Sequence, residues 1–253
     1  MRTKIFKIGL LSLATAMIMA ITMPATAVAD DGWDFLIGPL YLWALDINGT
    51  QGFGTGAIDL DMKFEDIYPD LETIFTVHFE GVKDQKWGFI VDLSFMDLES
   101  TEVVGPTTIK SGLTAPVYEL DGFYRLGEDR HVIDLLLGLR YYKVENSAAF
   151  TGGPNDGLSF DESFDWVDGV VGALYRWNFA RKWHLILRSD VAAGGSDLTL
   201  NGSALVQWQP WEVVGFIGGY RVMDIDYEDG SGADRIVYDI QQAGPILAVT
   251  FAW

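Results

Sequence analysis

Three observations predict an all-β chain: a single closed antiparallel transmembrane β-barrel of about ten strands, within a range of roughly eight to twelve, after a cleaved N-terminal signal peptide. Apolar and polar residues alternate with a period of two in successive paired segments, so each segment has one greasy and one polar face. Tight turns alternate with long connections along the chain. Tryptophans gather beside the tight turns, as they do where a barrel wall meets a membrane–water interface.

The first residues carry an export signature. Arg2, Lys4 and Lys7 precede an apolar run from Ile8 to Ile21, and Ala27-Val28-Ala29 supplies small residues two apart before a cut. Residues 1–29 are expected to be a signal peptide and 30–253 the barrel domain. The apolar run is too short and wrongly flanked for a spanning helix. Formal charge is 17 − 36 = −19, and removing three basic residues makes it 14 − 36 = −22. That disfavours nucleic acid as a partner, because a phosphate backbone needs a basic patch. The chain has no cysteine, which excludes a disulfide framework and a thiolate metal site.

In chain order, Trp33–Asp46 is the first strand candidate, with Phe35, Ile37, Tyr41, Trp43 and Leu45 expected on one face and a local bulge at Pro39. A long Gly- and Asp-rich connection follows, containing an alternating piece (Ala57–Phe64) and a helical turn near Glu65–Glu72. The connection 47–73 is the best candidate for constricting the opening. Hairpins are predicted for Ile74–Val82 with Trp87–Met96, for Val117–Leu126 with Val132–Tyr142, and within Val170–Val191. Leu198–Trp208 with Trp211–Met223 forms another, and Ile236–Trp253 is the last strand. Tight turns fall at 83–86, 127–129, 178–182 and 209–210; long connections fall at 47–73, 97–116, 143–165 and 224–235, with a shorter one at 193–197.

The tryptophans bear on this topology independently. Trp87, Trp177, Trp183, Trp208 and Trp211 flank tight turns, Trp33 starts the first strand and Trp253 ends the last, so seven of nine fall at one rim. A soluble sandwich, the alternative exported fold, has no reason to sort tryptophan by loop side.

If the apolar faces meet lipid, the opposite parity lines the lumen. That set holds His78, Glu80, Asp92, Glu119, Asp121, Arg125 and Asp134, then Arg140, Asp168, Arg176, His184, Arg188, Asp190 and Arg221. Asp34 also belongs to it. Ten strands enclose a narrow interior, and interleaved arginines and carboxylates would most simply pair and fill it. Acid also gathers in the long connections, where solvation or divalent-cation bridging to an anionic leaflet are the two readings. The stretch DIDYEDGSGAD is only loosely like a calcium loop, its glycine being out of register. No cofactor or resident metal is expected.

The cleavable signal, the tight turns, the aromatic rim and the terminal Phe251-Ala252-Trp253 together resemble small bacterial outer-membrane barrels. WDFLIGPLYLWALDING and GYRVMDIDYEDG are similar to uncharacterised members of the broad OmpA/OmpW-like group. The resemblance implies insertion in outer-membrane lipid and reading of Phe251 and Trp253 by the barrel-assembly machinery. The charged, narrow lumen points to either a structural role or a narrow pore for small solutes or ions. An outer-membrane lipid-modifying enzyme and a soluble exported β-sandwich binding protein are the alternatives. The register predicted for the 83–86 turn sets His78 opposite Asp92, with Ser94 diagonal, but no nucleophile elbow accompanies them, so no enzyme is expected.

Overall fold

The computed structural model describes residues 32–253, and the expected signal segment 1–29 lies outside the described residues. Thirteen strands are formed: β1 (Trp33–Trp43), β2 (Asp46–Phe53), β3 (Gly56–Met62), β4 (Leu71–Lys83), β5 (Trp87–Val104), β6 (Thr107–Thr114) and β7 (Val117–Glu128), then β8 (His131–Thr151), β9 (Ser159–Ala180), β10 (Trp183–Ala193), β11 (Leu198–Trp208), β12 (Val214–Asp229) and β13 (Ile236–Ala252). A one-turn helix α1 (Phe64–Ile67) and a 3-10 turn (Tyr68–Asp70) precede β4. β1 runs on into β2 and β6 into β7 as broken staves, and β3 folds back on β2, so the segments make a closed antiparallel barrel of ten staves. The seam is β1 and β2 against β13, from Leu36↔Ala252 to Phe53↔Ile236.

The alternation that builds the wall also sorts its two faces. Leu137, Leu247 and Val171 point outward and are 69%, 66% and 57% exposed, whereas Ile90, Val170, Ile225 and Ile246 point inward and are fully buried. Exposed leucine and valine arrayed around a closed wall are what lipid requires, and closure pairs edge N–H and C=O groups that a membrane would leave without a partner. The wall spans the membrane. Trp183 stacks on Trp208 with ring centroids 5.9 Å apart and Trp33 on Phe35 at 5.5 Å, at the end where the tight turns lie. In the Lys83–Trp87 turn, Asp84 and Gln85 adopt φ of 50° and 53°, the left-handed geometry that a short hairpin turn demands.

Two expectations are corrected. The connections 47–73, 97–116, 143–165 and 224–235 are mostly strand, not loop. β2 joins the wall against β13 and pairs with β3 to Phe53↔Gly56, which leaves 54–70 as the segment outside the wall. β5 pairs with β6 to Val104↔Thr107, β8 with β9 to Ala149↔Ser159, and β12 with β13 to Asp229↔Ile236. β8 has 21 residues, roughly 70 Å of chain, so these hairpins stand beyond the membrane on the side away from the tight turns. Their polar–polar alternation hides them from a hydrophobicity pattern. The second correction concerns Pro39. The register slips between Ile37↔Phe251 and Leu40↔Val249, a bulge of one extra residue on β1. An extra residue inverts parity, so Phe35 and Ile37 share the outward face of Phe79 and Phe251, while Tyr41 and Trp43 pair with inward Ala248 and Ile246. The five residues expected on one face are split between lipid and lumen.

Leu137 lies about 20 Å along β8 from its tight turn, well within the apolar band. Leu137→Arg is expected to destabilise the barrel by roughly 2–4 kcal/mol in lipid vesicles, read from the urea midpoint. A shift near zero would place that face out of contact with lipid.

Candidate lumenal site

Charge is packed inside the wall in two groups. Nearer the tight turns, Arg125 grips Asp134 with Nε and Nη2 at 2.7 and 2.9 Å, a bidentate pair, and its Nη2 also reaches Glu80 at 3.3 Å. Arg176 donates to Glu80 at 2.5 Å and lies 3.6 Å from Asp134. His78 binds Asp92 through Nδ1 at 2.7 Å, and its Nε2 faces Glu80 at 3.8 Å. The second group sits higher. Arg140, with no exposed surface, joins Glu119 through Nε and Asp190 through Nη2 at 2.8 Å. Arg188 joins Glu119, meets Asp121 at 3.0 Å and Asp190 at 2.7 Å, and approaches Asp92 at 3.8 Å. Asp92 therefore links the two groups.

Glycines make the room for this. A Cβ at Gly138 would stand 2.0 Å from the Asp121 carboxylate, and one at Gly172 would stand 2.5 Å from the Asp190 Cβ. Bare backbone on the neighbouring stave lets each aspartate lie flat against the wall. Apolar side chains seal the space around the charges. Ile90, Phe123, Leu136, Leu174, Ile186, Leu205 and Ile217 form one buried cluster interleaved with them. Beyond the charges, on the side away from the tight turns, Tyr142, Phe164, Trp166, Met223, Ile225, Tyr227, Tyr238 and Ile240 form another. Trp166 stacks on Tyr227 at 4.4 Å and on Tyr142 at 4.6 Å. Connection 54–70 closes over this layer: Ile67 of α1 is 5% exposed within it, and Leu60 and Met62 pack against it.

The structure points the sequence-named lumenal residues inward but gives three of them other duties. Asp168 stands apart from both groups. It accepts the backbone N–H of Gly195 and Ser196 at 3.0 and 2.7 Å and the Ser196 hydroxyl at 2.7 Å, which orders the β10–β11 connection. His184 sits near the tight-turn rim, its Nδ1 2.7 Å from the Asn178 side-chain oxygen. Asp34 is exposed at that same rim and accepts from Gln85. Of the His78, Asp92 and Ser94 set, the first two meet, whereas Ser94 shares a hydrogen bond with Thr76 at 3.2 Å. Tyr41, Trp43, Asn201 and Arg221 escape simple pattern reading as one group. Only the Pro39 bulge turns the first two inward, and Asn201 carries no charge to draw notice.

Arg221 is the exception among the lumenal arginines. Its Nε donates to the Asn201 side-chain oxygen at 2.8 Å and its guanidinium stacks over the Trp43 ring at 4.7 Å. Among the described residues, no carboxylate lies within ion-pair distance of it, unlike Arg125, Arg140, Arg176 and Arg188.

At the far hairpins the acidic residues are partly answered by nearby bases. Glu228 accepts from Arg235 at 2.7 and 3.1 Å, bonds that hold its carboxyl below the ordinary glutamate range, and Lys110 pairs with Glu99. Among the described residues, no group of three or more His, Asp or Glu is placed to hold a metal ion.

Comparison with known proteins gives remote likenesses in fold. No family model and no curated protein sequence matches the chain. Among solved structures, the attachment invasion locus protein Ail of Yersinia pestis is 11% identical with a TM-score of 0.40, over 87% of this chain and 97% of its own. The outer membrane protease OmpT of Escherichia coli is 8% identical with a TM-score of 0.47, over 87% and 95%. The translocator domain of the autotransporter NalP of Neisseria meningitidis is 12% identical with a TM-score of 0.40, over 98% and 99%.

Removing one partner of the dry network leaves its counter-charges uncompensated. Arg140→Ala is expected to lose roughly 3–5 kcal/mol of stability, whereas Arg235→Ala, at an exposed pair, should change it by roughly 0–1 kcal/mol. Urea midpoints in vesicles compare the two; equal small losses would mean water fills the lumen around Arg140.

Proposed function

We propose that this protein is a non-conducting outer-membrane barrel, a structural element of the bilayer that presents acidic hairpins on its outer side. The carrying observation is the Arg140–Glu119–Asp190–Arg188 network, buried across the lumen beneath the Trp166–Tyr227 layer. Moving a hydrated ion past it would require separating buried, mutually paired charges. The apolar outer face, the tryptophan rim beside the tight turns and the export signature support the outer membrane as the location.

A narrow solute or ion pore is the competing reading, and connection 54–70 would then gate it. The aromatic layer speaks against that reading, because Ile67 is buried within it together with Trp166, Tyr227 and Tyr238. A lipid-modifying enzyme has less support. Both His78 ring nitrogens face carboxylates and the Ser94 hydroxyl is engaged by Thr76, so no nucleophile–base pair is set up. For biogenesis, Phe251 and Trp253 are the residues for the barrel-assembly machinery to read. In the finished wall they belong to the seam, where the Trp253 and Phe35 backbones exchange hydrogen bonds at 2.9 and 3.0 Å. Divalent cations at the acidic hairpins would have to compete with Lys110 and Arg235.

Planar-bilayer recording of the refolded residues 30–253 tests the proposal. Silence is expected from protein that runs as a folded species when unheated in detergent electrophoresis. Steady, salt-dependent openings that change on deleting residues 54–62 would overturn it in favour of a gated pore.

A further inference from the structure

The wall is incompletely joined at one place, and an unpaired arginine lies behind it. Pairing between β1 and β4 runs from Trp33↔Lys83 to Gly38↔His78 and ends there. Above that point, β1 (Leu40–Trp43) pairs only with β13, and the segment 71–77 of β4 pairs only with β5. The Pro39 bulge is the local cause, since proline has no N–H and the extra residue breaks register. Strand edges at membrane depth need partners other than each other, which a polar ligand or water behind them can provide.

Two adjoining cavities lie inside this part of the wall, of about 80 and 70 Å³, and Thr76, Ser94 and Arg221 line both. The larger is bounded mainly by polar side chains. The smaller is bounded by Trp43, Ile74, Met96, Val144, Met223 and Ile225, an apolar pocket with adaptable methionines. Arg221 lines both cavities and Trp43, beneath its guanidinium, lines the smaller one. The Arg221 guanidinium uses Nε on the neutral Asn201 and its face on Trp43, and neither Nη atom donates to a described residue. The Trp43 indole N–H is buried and has no partner among the described residues. A buried donor without an acceptor is costly, and a half-buried cation without a counter-charge adds to that cost. Every other lumenal arginine is matched by a carboxylate of this chain. Here the chain withholds one.

We propose that Arg221 and the Trp43 indole N–H hold the head of a short amphipathic carboxylate, whose apolar body fills the adjoining pocket behind the β1–β4 break. A planar carboxylate matches the free Nη edge of a guanidinium, which is why the head is assigned as a carboxylic acid. The two cavities, about 80 and 70 Å³, limit the occupant to a short chain. The chain's own net charge of −19 opposes anion capture at the surface, so recognition depends on this half-buried lumenal cation and not on the outer field.

The test uses the folded barrel in detergent, with octanoate as the probe and 1-octanol as its uncharged match, titrated by calorimetry or by Trp fluorescence. Octanoate is expected to bind at least tenfold more tightly than octanol. Arg221→Gln should remove that preference while leaving octanol binding unchanged, and Trp43→Phe should weaken octanoate severalfold. Octyl sulfate and octyl phosphate distinguish a carboxylate site from a general anion site, for which all three anions would bind alike. Equal binding of octanoate and octanol by the unaltered protein, or no binding of either, would overturn the proposal without any variant. Variants are read only on protein whose unheated electrophoretic form is intact. Silence or conduction in the bilayer leaves this outcome untouched, because the titration reads the pocket and not the path.

Discussion

Closure of the wall is the constraint on which everything else here depends. In lipid a strand edge has no water to bond, so the chain must return β13 to β1 and β2 before the structure is stable at all. The seam does this from Leu36↔Ala252 to Phe53↔Ile236, carried past two prolines by a bulge at Pro39 and an Ala44 N–H to Pro245 carbonyl bond of 3.0 Å. Once the sheet is closed, alternation sends half of each stave inward. A barrel of this size has little interior, so those side chains must fill it together.

The filling is unusual in being half ionic. Arg140, Asp121 and Asp134 have no exposed surface, which would be ruinous for isolated charges. They survive because each guanidinium is met on more than one edge and because Gly138 and Gly172 remove the wall side chains that would otherwise hold the partners apart. Aromatic and aliphatic layers on either side exclude water, which strengthens the pairs and makes each harder to lose singly. Charge and closure thus reinforce each other: a flexing wall would separate the pairs, and the pairs tie opposite staves together.

Against that background the region of β1, β4 and Arg221 is an irregularity with a common origin. One proline and one extra residue end the β1–β4 ladder early, invert the parity of β1, and bring Tyr41 and Trp43 into the lumen. The same event leaves an opening in pairing, an indole N–H without a partner, and a cation stacked on that indole with only its Nε engaged. Elsewhere in the lumen arginines and acids come in matched groups, so this local departure from the rule is where a ligand is sought.

The amino-acid order by itself determined the fold class, the tight turns near 83–86, 127–129 and 178–182, the side on which tryptophan gathers and the inward parity of Glu119, Arg140, Arg188 and their partners, whereas the turn expected at 209–210 extends to 213. It could do so because a strand's side chains alternate strictly, and lipid outside makes that alternation legible as apolar against charged. It marked Pro39 as a bulge but not the consequence, since parity after a bulge depends on which residue is left unpaired. The far hairpins of β5 with β6 and β8 with β9 were not legible either, because strands in water on both faces show no hydrophobic period. Which arginine pairs with which carboxylate, and that Arg221 pairs with none among the described residues, was decided only by the tertiary structure. Those contacts cross the lumen between staves up to 96 residues apart, as between Arg176 and Glu80, and no local pattern records such a distance.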